Sequence, residues 1–276
     1  MAELRPSERR GDPLVALFLT WFLPGAGHLY LGRVVPGLVL FLVVEGLFGL
    51  GWLLSDGRTF ELLDPELRGP LATLLTPEVG NLGAMIAQIR VVGYGAEMPS
   101  PFPRHMALGG ILCALSGILN LFVMAHAHLA ARTPRSARPR GLPPALLTGI
   151  AWLVPGLGHF LQGRRLRALV VGGLLVGFFA LGTWMAEGSN LSRERHFYYW
   201  SGQVLLGLPA ILTELVSCRP PVTGELVLGD VGLLYACMPG LLNILCMLDV
   251  HGVAEDRWLE RSGVGGEGVP AREVSA

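Results

Sequence analysis

The chain has 276 residues, 51% of them hydrophobic and only 15% charged, with a mean hydropathy of +0.52; soluble domains carry about a quarter charged residues. Its 21 basic residues are all Arg and balance 21 acidic ones, so no general basic field argues for nucleic acid. The composition is that of an integral membrane protein with the lipid bilayer as its first partner.

Residues 1–12 are polar, with Arg5, Arg9 and Arg10 ahead of an apolar run. This resembles a signal peptide. No small-x-small site follows, however, and a similar apolar segment recurs at 144–163, so the N-terminus is expected to stay. The first apolar segment, 14–31, is broken by Pro24-Gly25. Proline removes a backbone donor and glycine weakens helix preference. The piece before the break, 14–23, is about 15 Å long, half a bilayer core. It reads as a re-entrant half-helix rather than a span.

Four apolar runs, 34–54, 105–127, 166–186 and 226–248, each reach the roughly 20 residues that a crossing needs. Two shorter pieces, Val79 to Val92 and Phe197 to Val216, are expected to lie at the interface, the second interrupted at Gly207 and Pro209. Residues 133–143, rich in Pro and Arg, form a linker, and 259–276 a Gly-rich disordered tail.

The elbow returns. Pro24, Gly25, Gly27, His28, Gly32 and Arg33 recur as Pro155, Gly156, Gly158, His159, Gly163 and Arg164, all 131 positions on. Gly117, Asn120, Met124 and His128 recur 123 positions on as Gly240, Asn243, Met247 and His251. The chain is a tandem duplication, with unit 1 at 13–132 and unit 2 at 144–258. Its expected fold class is an all-α helical bundle of two like units. Each has a Pro-Gly-broken helix, two transmembrane helices and an interfacial segment.

Arg positions select a topology. With both broken segments re-entrant, Arg5 to Arg10, Arg33, Arg132 to Arg140 and Arg164 to Arg167 share one face. The loops 55–104 and 187–225, holding Asp56, Glu61, Asp64, Glu66, Glu78, Glu97, Glu187 and Glu194, share the other. Were the broken segments to cross, the positive-inside rule would fail in either orientation. The expectation is a multi-pass protein of the cell inner membrane, with both termini cytoplasmic.

His28 and His159, each after Gly-x-Gly, admit two readings. Meeting near a shared axis, with His128, His251 and Asp249 near the same face, they would suit a metal or haem. Alternatively, each donates to carbonyls around 20–23 and 151–154 that the proline break has freed. No pair of motif histidines has ligand spacing along one helix, so the second reading leads and no cofactor is expected. Glu45 stands in an apolar span, its repeat counterpart being Val176; an intramembrane carboxylate is a functional candidate or a protonated partner of a neighbouring helix. Asn120 and Asn243 suit bonding across helices. Gly173-x-x-x-Gly177 and Gly110-x-x-x-Ala114 are close-packing signals. Cys113, Cys218, Cys237 and Cys246 lack metal or disulfide spacing. No nucleophile elbow, P-loop or dinucleotide fingerprint occurs, which disfavours an enzyme.

Gly27-His28-Leu29-Tyr30-Leu31-Gly32-Arg33 before an apolar span resembles the small two-helix transmembrane domain family. The likeness is closer to bacterial membrane proteins of unknown function bearing a Pro-Gly-x-Gly-His motif. It covers about 40 residues in each half and implies a membrane location without an activity. The leading expectation is a non-enzymatic scaffold, assembly factor or subunit of a membrane complex with other membrane proteins as partners. The alternatives are a small transporter or channel along the pseudo-two-fold axis, and a metal- or haem-binding redox protein.

Overall fold

The computed structural model describes residues 11–63, 69–94, 101, 103–134, 136–137, 139–193, 195–217 and 226–263. Arg5, Arg9, Arg10, Asp64, Glu66, Glu97, Arg135, Arg138, Glu194, Cys218 and the tail beyond 263 lie outside them. Among the described residues all regular structure is helical.

Asp12 opens α1 (Pro13–Phe22): its carboxylate accepts from the Leu14 and Val15 N–H groups, and Pro13 supplies a φ already suited to a helix. The helix stops at Pro24, which has no N–H to offer Thr20. Gly25 then takes φ 79° and the chain turns into α2 (Ala26–Tyr30). A second left-handed glycine, Gly32, releases it into α3 (Val34–Ser55). The hairpin closes on itself, since the Asp12 N–H donates to the Tyr30 hydroxyl at 3.2 Å.

A loop region with a 3-10 turn at Thr59–Leu62, α4 (Pro70–Leu74), a 3-10 turn at Pro77–Gly80 and α5 (Leu82–Val92) leads to α6 (Met106–Arg132). Unit 2 repeats the plan. It contains α7 (Pro144–Leu153), α8 (Leu157–Leu161), α9 (Arg165–Met185), a 3-10 turn at Ser189–Leu191 and α10 (Phe197–Gln203). A 3-10 turn at Val204–Leu206, α11 (Leu208–Val216) and α12 (Gly229–Arg261) complete it. Helix α12 carries Pro239 in its interior and runs to Arg261, so residues 259–261 are helical.

Helices α3, α6, α9 and α12 are long and apolar enough to cross a membrane. In each unit the spanning pair touches at glycine. A Cβ on Gly51 would lie 2.7 Å from the Gly109 carbonyl, and one on Gly182 would lie 2.7 Å from the Gly232 carbonyl; these pairs occupy equivalent positions. Small residues let the backbones approach, which drives helix association in lipid. The Gly173-x-x-x-Gly177 signal does not pack this way, for both glycines face outward with nothing within 4 Å. Even backbone strain repeats: Asp56 and Glu187 are the non-glycine residues at positive φ among those described, each followed by a left-handed glycine.

The loop-borne segments of both units carry core residues. Phe60, Leu63 and Met85 are buried on unit 1's side, and Trp200 and Leu206 on unit 2's. The stretch Phe197 to Val216 breaks at Gly207 (φ 83°). Ile111, Ala114 and Ile118 of α6 cluster with Trp152, Trp200 and Val204, so unit 2 shares an apolar core with unit 1.

Candidate functional site

The two elbows share most of their backbone bonds. The Ala26 N–H donates to Leu23 and the Arg33 N–H to the His28 carbonyl; Leu157 to Val154 and Arg164 to His159 are their counterparts. Glycine is required at 25 and 156 twice over. Both sit at positive φ, and a Cβ there would lie 2.1 Å from the Gly37 carbonyl or 2.4 Å from that of Ala168.

At each break an asparagine, and not the histidine, serves a carbonyl that the end of the helix leaves without a helical donor. Asn120 Nδ2 donates to Thr20 at 2.8 Å and to Gly80 at 2.9 Å. Asn243 Nδ2 donates to Trp152 at 3.5 Å and to Leu205 at 3.0 Å. Each asparagine thus bolts an elbow and a 3-10 turn to the unit's last helix. An amide suits the task better than imidazole because its NH2 offers two donors to two carbonyls at once.

The elbow histidines turn to those same last helices and do not bond one another. His28 Nε2 lies 2.8 Å from Nδ1 of His126, and His159 Nε2 lies 3.0 Å from Oδ2 of Asp249. Positions 126 and 249 are equivalent, 123 apart, so the repeat places a histidine in one unit where it places an aspartate in the other. A carboxylate can only accept, so His159 carries its proton on Nε2. The same tautomer for His28, donating to His126, leaves its buried Nδ1 as a bare acceptor rather than an orphan N–H. Burial foremost, then His126 and Arg33, pushes the His28 pKa down to about 4. For His159 burial also prevails, lowering the pKa against the pull of Asp249.

Asp249 further accepts from Arg164 at 2.6 Å and lies 3.4 Å from Arg167. Arg33, the counterpart of Arg164, has no carboxylate partner among the described residues. It borders a cavity of about 450 Å³ with His126, Thr133, Pro143 and Trp258.

The histidines brought near each other across the two units are His128 and His251, each within range of Glu255. Thr148 Oγ1 is 2.9 Å from His251 Nδ1, and Arg132 pairs with Glu255. Far along α6, Arg193 of unit 2 pairs with Glu78 of unit 1 at 2.6 Å, with side-chain exposures of 3% and 0%. Its guanidinium lies over the Phe197 and Trp200 rings. Gly110 faces this guanidinium, about 33 Å from Arg132 at 1.5 Å per helical residue. Glu45 is half-buried, with its carboxyl beside the buried side chain of Asn81. Cys113 and Cys237 are buried and reduced. Among the described residues no group of three His, Cys, Asp or Glu is placed to hold a metal.

The sequence alone does not single out Arg193 or His126, and it shows Glu78 only as one acid of a loop. For His126 a signal exists: subtracting the 123-residue offset from Asp249 lands on it. Leu62 stands where the 131-residue offset would put a counterpart of Arg193, so the repeat gives no hint of that pair.

Fold and site together define an all-α membrane protein made of two copies of one unit, each a broken-helix elbow joined by an asparagine to a spanning pair. The chain belongs to a family of unknown function, DUF6677, which matches residues 15–139 and again 146–261. That double match supports the duplication; the likeness to the small two-helix family rests on the motif residues alone. No curated protein and no solved structure matches the chain.

Proposed function

We propose that the chain is a non-enzymatic scaffold or assembly subunit of a larger complex in the cell inner membrane, its termini cytoplasmic and its two elbows re-entering from that face. The observation that carries the scaffold reading is the outward face of α9. Gly173 and Gly177 are exposed one turn apart, flanked by exposed Leu166, Leu169 and Trp184. A small-x-x-x-small stripe lets another helix approach closely in lipid, where small residues rather than large ones drive association. Re-entry is supported by the Asp12–Tyr30 bond, which brings the end of the hairpin back to its beginning.

The transporter reading is less favoured, because the space between the units holds the Glu78–Arg193 pair and the Trp152–Trp200 cluster. The redox reading is less favoured too. The 2.8 Å spacing of His28 and His126 is that of two nitrogens sharing a proton.

The test replaces Gly173 and Gly177 by Leu and follows complex size in mild detergent. The expected result is collapse of the native complex to the size of the isolated chain with melting temperature retained, since neither glycine has a neighbour to displace. A complex that survives both substitutions, or reconstituted protein that conducts ions, overturns the reading.

A further inference from the structure

We propose that unit 1 holds a phosphate-headed membrane lipid, its phosphate on Arg33 and His126 and one acyl chain in the groove between α3, α6 and α7. The argument begins with the broken symmetry. In unit 2 the elbow arginine is closed by an internal carboxylate, Asp249. In unit 1 the equivalent position is His126, and Arg33 is left without a counter-ion among the described residues. A guanidinium at the start of a spanning helix is a fork for two phosphate oxygens. The tautomer that gives His28 the donor role puts the remaining proton of His126 on Nε2, which makes no hydrogen bond among the described residues. A neutral N–H donor and a cation therefore border one cavity, where Thr133 and Trp258 complete the wall.

That cavity does not stand alone. His126 and Pro143 also line a second space of about 450 Å³, an apolar groove walled by Leu40, Val43, Phe122, Leu146 and Trp152. A cationic pocket that opens onto an apolar groove at headgroup level has the polarity of an amphiphile, anion at one end and hydrocarbon at the other. Neither half of the site alone would choose a lipid. Together they exclude a free anion, which leaves the groove unfilled, and a neutral lipid, which leaves Arg33 unpaired.

The test counts lipids retained by the full chain in detergent by native mass spectrometry. Phosphatidylglycerol, diacylglycerol, oleate and inorganic phosphate are supplied in turn. The expected result is one retained phosphatidylglycerol, with diacylglycerol, oleate and inorganic phosphate lost on mild activation. Arg33→Gln should weaken retention about ten-fold or more, a single charge-assisted contact being worth that much. His126→Asp is the decisive variant. It writes the unit 2 arrangement into unit 1, so it is expected to fold as unit 2 does, pair Arg33 internally and expel the lipid. Gly149→Phe, which fills the groove beside Phe122, should expel the chain while leaving Arg33 intact; Arg164→Gln should change nothing. Undiminished retention in His126→Asp overturns the site. Equal retention of diacylglycerol or oleate overturns the phosphate headgroup, and equal retention of inorganic phosphate overturns the lipid.

Discussion

Replacing Asn120 by Ala removes a fully buried amide that serves two carbonyls. Thr20 loses its donor at 2.8 Å and Gly80 its donor at 2.9 Å. The Thr20 carbonyl has no helical substitute, because residue 24 is the proline that caused the break. An unpaired buried acceptor costs about 1 to 3 kcal/mol, while hydrogen bonds between membrane helices average about 0.6 and reach about 1.7 kcal/mol. Two bonds near the upper end give about 2 to 4 kcal/mol for Asn120→Ala. Asn243→Ala should cost about half that, since one of its two contacts stretches to 3.5 Å. His28→Gln, which keeps much of the volume of a fully buried side chain, forfeits a single bond to a half-buried ring and should stay below about 1.5 kcal/mol. The assay is reversible unfolding in mixed micelles, followed by circular dichroism, with Asn120→Asp as the shape-conserving control that removes the NH2. If Asn120→Ala unfolds like the parent, or His28→Gln proves the costlier change, the asparagines are not the bolts of the elbows.

Breaking the buried Glu78–Arg193 pair by Arg193→Met should cost about 3 to 5 kcal/mol, and the double change Glu78→Leu with Arg193→Met should recover most of it; equal losses in the single and double variants would rule out a stranded charge. Gly25→Ala, at φ 79° and 2.1 Å from the Gly37 carbonyl, should cost about 4 kcal/mol or more, whereas Gly32→Ala, at φ 73° in open space, should cost about 1 to 2 kcal/mol; melting temperatures of the two variants rank them. Acid should loosen the protein through His28, which lies outside the four spans and faces His126 and Arg33. Its folded pKa of about 4 lies below the ordinary 6.5, so the unfolded chain binds the proton first and stability falls as pH drops from 6.5 through 4. His28→Gln should flatten that part of a melting-temperature profile, and an unchanged profile would assign the acid sensitivity elsewhere.

The spans and elbows are legible because their causes are local. A run of apolar residues must sit in lipid, and Pro24 or Pro155 cannot donate whatever surrounds it. The duplication then doubles every such inference. Partner choice is not local. His28 and Asn120 both stand ready, by chemistry, to serve the freed carbonyls, and only the packing of α6 against α1 decides that the amide reaches them and the imidazole does not. The same holds for glycine. Gly173-x-x-x-Gly177 and the Gly51 and Gly109 pair are equally good small-residue faces in sequence, and the fold turns the second inward and the first outward. Glu78 and Arg193 could not be matched at all, since each lies in a loop region of a different unit and the repeat supplies no second example.

What the two copies share and what they do not divides along a physical line. The joints are common to both: left-handed glycines at 25 and 156, asparagines at 120 and 243, glycine crossings at 51 and 182. Each meets a backbone requirement that any chain following this path must satisfy. The differences fall where no backbone requirement acts: His126 against Asp249, Leu31 against Gln162, Glu45 against Val176. At the elbow they act in concert. Unit 2 gathers Asp249, Gln162, Arg164 and Arg167 into a polar knot with an internal carboxylate, while unit 1 packs Leu31 on Ala127 and Ala131 and leaves Arg33 facing a cavity. Two identical subunits would have to carry the same elbow twice. Joining the copies in one chain removes that constraint, so one elbow can be closed by an internal carboxylate while the other is not.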